Sequence, residues 1–314
     1  EKGIVITNNH VIQDAEDIVV RVGGDKEYKA TIIGQDPLSD IAVLQIESKE
    51  KFIPVINPAM LAFKPEAQRT WDDSKDNIIK YIKGELKNVT LGDDKAYGIQ
   101  DSQELYVFLD NALNSDHDFI ALDSETTALY PRDGHILGMS ISYEPNHGAY
   151  IDTDCVDEKA EKLLQQLFDK KRVVFHNAKF DLHFFEYHFN FKFPRFEDTM
   201  LLHYMLDENP GTHGLKQLSL KYTPYGDYEK PMYDFIDEYC RRNGLLKGDF
   251  TWDMIPFELM QVYAAMDACV TYRIYQVFEA ELDKDIQIRR VYKNLLIPAM
   301  QFLKDIQDTG VPFD

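Results

Sequence analysis

Cysteine is scarce in this 314-residue chain: Cys155, Cys240 and Cys269 are all there is, at no paired spacing. Such an odd, scattered set argues against a disulfide framework or a zinc cluster and reads as reduced thiols. No apolar run approaches the roughly 18–20 residues that a membrane helix needs. The N-terminus also lacks a signal-peptide pattern, so the expectation is no membrane contact and a cytoplasmic location. Basic residues are in short supply too, with 34 Lys and Arg against 54 Asp and Glu, a net charge of −20. A protein that grips nucleic acid by charge alone has the opposite balance. Any phosphate contact here would have to run through bound cations and a local basic patch. Internal repeats and low-complexity tracts are missing as well.

What is present is enough apolar material for a packed core: 44% hydrophobic residues, including 19 Phe and 18 Tyr. Residues 1–57 form one compositional unit of short β-branched stretches at 3–7, 17–22, 28–33 and 41–46, with a turn signal at Gly23-Gly24-Asp25. From Asn57 the text changes, and 58–115 reads as a junction and extension, with short helices expected at 78–86 and 102–113. From Asp118 the pattern is α/β. Strands are expected at 119–123, 136–143, 148–151 and 172–176, and helices at 158–170, 178–188, 199–207 and 215–222. A long helix should run from about Pro256 into the 280s. Adjacent antiparallel strands followed by helices imply a mixed sheet, not a simple doubly wound one.

Three acidic motifs carry chemistry. Asp123-Ser124-Glu125 ends the apolar run Phe119-Ile120-Ala121-Leu122, and residues i and i+2 of a strand share a face. Tyr263 and Asp267 are four apart in a helical pattern, so both project from one helical side. Asn177 and Asp181 bracket a helix start between them; they could equally be a cap and an exposed first-turn acid. Each motif alone is commonplace. Jointly, Asp123, Glu125, Asp181 and Asp267 would make an oxygen cage suited to two Mg²⁺ or Mn²⁺ ions, the machinery for in-line displacement at phosphorus. Tyr263 could orient the attacking water.

Leu122-Asp123-Ser124-Glu125-Thr126-Thr127, Asn177-Ala178-Lys179-Phe180-Asp181 and Tyr263-Ala264-Ala265-Met266-Asp267-Ala268 resemble the three motifs of the proofreading 3′–5′ exonuclease domain of family A DNA polymerases, in its tyrosine form. Asp198-Thr199-Met200 and His213 to Leu218 resemble further family features. The resemblance covers about 116–285. It implies a ribonuclease-H-like mixed sheet flanked by helices, two divalent ions and removal of nucleotides from the 3′ end of single-stranded DNA. Carried over by position, Asp123, Glu125, Asp181 and Asp267 are metal ligands, Tyr263 orients water, and Asn177 and Leu129 touch the terminal nucleotide. Ala128 departs from the glycine of many relatives. Asp198 reads as a helix N-cap and not as a ligand. Residues 286–314 resemble the stretch leading into a polymerase domain, and the chain stops there, so the polymerase partner in cis is expected to be missing and synthesis absent. The alternative is a catalytically weak, nucleic-acid-binding remnant of a fused or truncated gene.

Residues 1–57, an incomplete all-β segment, resemble something else. Ile6-Thr7-Asn8-Asn9-His10-Val11-Ile12 and Asp36 to Leu44 are similar to the Deg/HtrA trypsin-like serine proteases, with His10 and Asp40 in the places of base and orienting acid. The family's glycine-flanked serine and its second barrel do not follow. A triad without nucleophile and oxyanion hole cannot acylate. This segment is therefore expected to be an inactive half barrel, and serine protease activity is the remote alternative.

Overall fold

Period-2 alternation builds the N-terminal strands, and 3.6-residue spacing builds the helices of the larger unit. The computed structural model of the chain describes residues 2–8, 12, 15, 17–22, 26–36, 41–47, 95–223, 225 and 228–310. His10, Asp40, the turn at 23–25 and the helix expected at 78–86 lie outside the described residues. The chain divides into two compact units, 1–88 and 89–314, which are described separately.

In the first unit, β1 (Lys2–Asn8), β2 (Ile18–Val22), β3 (Lys26–Asp36) and β4 (Ile41–Glu47) make an antiparallel sheet in the order β1-β4-β3-β2. Ile12, Ala30, Leu44 and Ile46 form its small buried cluster.

The second unit holds a six-stranded mixed sheet in the order β10-β9-β6-β7-β8-β5. Its elements, in chain order, are β5 (Lys95–Ile99), α1 (Ser102–Asn114), β6 (Phe119–Thr126), β7 (Ile136–Glu144), β8 (His147–Asp152), α2 (Glu158–Lys170), β9 (Arg172–Phe175), α3 (Ala178–Phe189), β10 (Phe196–Asp198), α4 (Thr199–Leu206), α5 (Leu215–Tyr222), α6 (Lys230–Asn243), α7 (Phe257–Leu282), α8 (Ile286–Val291), a π-helical turn at Tyr292–Leu296, and α9 (Ile297–Thr309). β6 pairs antiparallel with β7 and parallel with β9. The mixed sheet read from the sequence is the one observed.

Alternation along β6 sorts side chains between two cores. Ile120 and Leu122 join the cluster built by α1, α2 and α3, whereas Phe119 and Ala121 join the one built by α4, α5 and α7. Phe119 stacks on Tyr272 of α7, with ring centroids 4.3 Å apart. The helices begin where the caps dictate: Asp101 accepts from the Gln103 and Glu104 N–H groups, and Asp157 from those of Lys159 and Ala160. The sequence reading starts the α/β pattern at Asp118, but β5 and α1 precede that point and are integral to the same layer. β5 pairs parallel with β8, and Leu105, Phe108, Leu109 and Ala112 of α1 are buried in the core.

Helix α7 lies unusually close to the sheet. A Cβ on Gly148 of β8 would overlap the Ala265 carbonyl oxygen and stand 2.8 Å from Cys269 Sγ. The helix answers with Ala264, Ala265 and Ala268, all fully buried. Small residues on both sides let the short Asp267 side chain reach β6.

Candidate active site

The same alternation that builds the core places the acids. Asp123 and Glu125 continue the Phe119 and Ala121 face of β6, toward α7. Asp267 comes down from α7 to meet them. One carboxylate oxygen from each of Asp123, Glu125 and Asp267 lies within 4.8 Å of the others. Glu125 and Asp267 are buried and Asp123 is half-buried. The β6–β7 register shifts between Glu125 and Thr126, so the strand breaks its ladder directly after the second acid.

Ser124 points from the opposite face of β6, toward α3, and there it meets Asp181. Its hydroxyl donates to Asp181 Oδ1 at 2.6 Å, and its backbone N–H donates to the same oxygen at 3.0 Å. Asp181 therefore borders the trio across the strand end. It is not the exposed first-turn acid of the alternative sequence reading, since only 1% of it is accessible. Asn177 does occupy the position before α3, but with φ 67° and ψ 52° and no side-chain cap bond. Asp198 caps its own helix, α4, as its sequence reading expects: its carboxylate accepts from the Met200 and Leu201 N–H groups.

Tyr263 sits one turn before Asp267 on α7 and is half-buried, against Trp252 with ring centroids 5.8 Å apart. Leu129 lies four residues beyond Glu125, in the loop closed by the Thr127 N–H to the His135 carbonyl at 3.0 Å. It is 77% exposed, beside an exposed Tyr130. Leu129 and Asn177 thus stand outside the acidic trio.

Three residues without a role in the sequence reading shape this site. Ser124 is one. Tyr228, just before α6, donates its phenol hydrogen to Asp267 Oδ1. Tyr150 of β8 packs over Gly138, the β7 partner of Glu125, where a Cβ would overlap its ring. Motif spacing carries no signal for Tyr228 or Tyr150, which the sheet and a loop bring in, whereas strand alternation alone sets Ser124 opposite the two acids it separates.

Crowding sets the electrostatics. Burial, then the charge of Asp181, pushes the Asp123 carboxyl well above the ordinary range, against a hydrogen bond from the Ser124 N–H. Burial and then Asp123, Asp267 and Asp181 do the same to Glu125. Asp267 rises through burial and Asp123, opposed by hydrogen bonds from Tyr228 and Tyr263. Asp181 is pushed up to about 7 by burial, against the two bonds from Ser124. The Tyr263 phenol is raised by burial and by Asp267 and Glu125, so it stays a protonated donor. The neighbours acting on these acids are mostly other acids, and desolvated like charges cannot all ionise without a cation.

The donor set fits a hard divalent ion. Oxygens on opposite sides of a Mg²⁺ or Mn²⁺ ion stand about 4–4.5 Å apart, so a spread of up to 4.8 Å closes with sub-ångström side-chain adjustment. Asp123, Glu125 and Asp267 could hold one ion, and Asp181 stands where it could contribute to a second.

Known proteins similar to this chain fall into two groups. A 3′–5′ exonuclease family model matches residues 97–283. The DNA polymerase of Escherichia phage T5 is 40% identical over 306 residues, covering 94% of this chain and 35% of its own. The chain thus spans about a third of that relative's length. A solved nuclease in its apo form shares the fold at a TM-score of 0.50 and 18% identity, over 71% of this chain and 98% of its own. At the other end, a trypsin-like peptidase model matches residues 1–104. A DegP-like periplasmic serine endoprotease of Pseudomonas fluorescens is 50% identical over 54 residues, 17% of this chain and 11% of its own. Among the described residues no helix is long and apolar enough to cross a membrane. With its matched region spanning the whole acidic site, the chain belongs to the 3′–5′ exonuclease family of DNA polymerase I-like proteins.

Proposed function

We propose that the larger unit removes nucleotides one at a time from the 3′ end of single-stranded DNA by metal-dependent hydrolysis, as the proofreading part of a DNA polymerase I-like protein. The observation carrying this reading is the convergence of Asp123, Glu125 and Asp267 within 4.8 Å, with Asp181 bonded to the serine between the first two. In this reading Asp123, Glu125, Asp181 and Asp267 hold two Mg²⁺ or Mn²⁺ ions. Bound there, the ions would supply a deprotonated water and stabilise the charge on the leaving oxygen.

The chain's own residues do the rest. The Tyr263 hydroxyl, kept protonated and bonded to Asp267 in the metal-free site, would turn its one hydrogen to the attacking water and orient it toward phosphorus. Tyr228 pins one Asp267 oxygen and leaves the other to turn toward β6. Leu129, open to solvent, offers an apolar surface to the terminal base, and Asn177 contacts the terminal nucleotide from the start of α3. With a net charge of −20, phosphate approaches such a site only when cations are in place. The work belongs where DNA is, in the cytoplasm. Residues 1–57 are assigned no catalytic role.

The test is a 5′-labelled single-stranded oligonucleotide incubated with Mg²⁺ or Mn²⁺. A ladder shortening from the 3′ end, lost on chelation and in Asp123→Ala or Asp267→Ala, is the expected result. DNA binding with no shortening in either ion would favour the inert remnant instead.

A further inference from the structure

Asp198 does more than cap one helix. Its Oδ1 accepts the Met200 N–H at 2.8 Å and the Leu201 N–H at 3.1 Å, closing the start of α4, and takes the Asn177 N–H at 3.3 Å. Its Oδ2 accepts the Ala178 N–H at 2.9 Å. One carboxylate, 2% exposed, therefore closes two helices, and the second is the helix whose first turn carries Asp181. Asn177 makes no side-chain cap there, so Asp198 supplies from across the fold what the local sequence does not. Asp198 is itself held: its N–H donates to the Tyr292 hydroxyl at 2.9 Å. Tyr292 is fully buried and opens the π-helical turn between α8 and α9. Such turns re-aim a side chain that a regular helix would point elsewhere.

We propose that Asp198 is a positioning residue for the nuclease reaction, fixing the first turn of α3 so that Asp181 meets Ser124, with Tyr292 holding Asp198 in place. This rests on the exonuclease reading above. Asp198 touches neither substrate nor ion in this scheme; the Asn177 N–H is held at Oδ1, so loss of the Oδ2 bond to Ala178 acts through Asp181.

The chemistry of an amide makes the idea testable. Asp198→Asn keeps the shape but exchanges one acceptor oxygen for an NH₂ donor. Oδ1 serves three N–H groups and Oδ2 serves one, so the amide oxygen settles at the Oδ1 position. The NH₂ then opposes the Ala178 N–H, and the α3 cap is lost while the α4 cap stays. Turnover should fall on the order of 10- to 100-fold, with the KM for DNA unchanged.

The decisive experiment is a cycle with Asp181→Ala, measured in single turnover with Mn²⁺. In the Asp181→Ala background, Asp198→Asn should cause no further loss. Metal-free hydrogen exchange should in parallel show the Ala178 amide exchanging about tenfold faster, with the Leu201 amide unchanged. An equal loss in both backgrounds, or unchanged Ala178 exchange, overturns the proposal. Should Asp198→Asn not fold, Tyr292→Phe replaces it, with a smaller loss that must likewise vanish in the Asp181→Ala background. Wild-type protein without turnover would sink the exonuclease reading itself and this inference with it. An active wild type with an additive cycle sinks only the inference.

Discussion

The Ser124 hydroxyl and the Ser124 backbone N–H both donate to Asp181 Oδ1, at 2.6 and 3.0 Å. The residue between the two strand acids thus holds the second motif's acid, Asp181, from the opposite face of β6. Removing the hydroxyl leaves the backbone bond and the fold intact but favours the protonated acid. In Ser124→Ala the Asp181 carboxyl should titrate above its present value of about 7. Turnover at neutral pH should fall about 3- to 10-fold, equivalent to one hydrogen bond. The acid limb of the pH–rate profile should shift upward, and an unshifted limb would contradict this role for Ser124.

The acid cluster also makes a prediction about stability. Burial and mutual repulsion raise Asp123, Glu125, Asp181 and Asp267 in the folded state. A carboxyl whose folded pKa is raised stabilises the fold most below its unfolded pKa, near 4, and loses that contribution as pH rises through the folded value. Metal-free protein should therefore lose stability as pH rises from about 4, through about 7 for Asp181 and onward through the raised values of the other three. Mg²⁺ or Mn²⁺ should restore it, with a Tm increment that grows as pH rises. Thermal melts with and without the ion across this window check it; an increment independent of pH would count against the cluster as the binding site.

Gly148 predicts a packing effect. A methyl group there would overlap the Ala265 carbonyl oxygen, so in Gly148→Ala helix α7 must lift from β8. The expected cost is about 2 kcal/mol in urea unfolding. Because α7 carries Tyr263 and Asp267, turnover of the folded fraction should fall as well. Wild-type turnover would show that the site tolerates a displaced helix.

Asn177 separates a backbone role from a side-chain role. Its φ of 67° suits Gly and penalises Ala by about 1–2 kcal/mol. Asn177→Gly should keep stability and Asn177→Ala should lose about that amount, while both raise the KM for DNA. Unchanged KM in the glycine variant would leave Asn177 as a purely conformational residue.

The chemistry was more legible in the sequence than its support. Asp123 and Glu125 share a strand face, and Tyr263 and Asp267 share a helix face, because those periods are local. Helices at 158–170 and 215–222 coincide with expectation for the same reason. Helix α6 leaves no apolar stripe in the sequence, because only Met232 and Cys240 of its fourteen residues are buried. β10 escaped notice because it is three residues long and exists only by pairing with β9. Tyr228 and Tyr150 reach the site from elements distant in sequence, and no spacing rule encodes such contacts.

Manganese titration followed by electron paramagnetic resonance bears most directly on the central claim, that these four acids hold the ions the reaction needs. The expected result is two Mn²⁺ bound per wild-type chain, with binding weakened at least about tenfold in Asp123→Asn, whose metal-free Tm does not fall below that of the wild type. Wild-type protein that binds no Mn²⁺, or an Asp123→Asn variant that binds as wild type does, would contradict it.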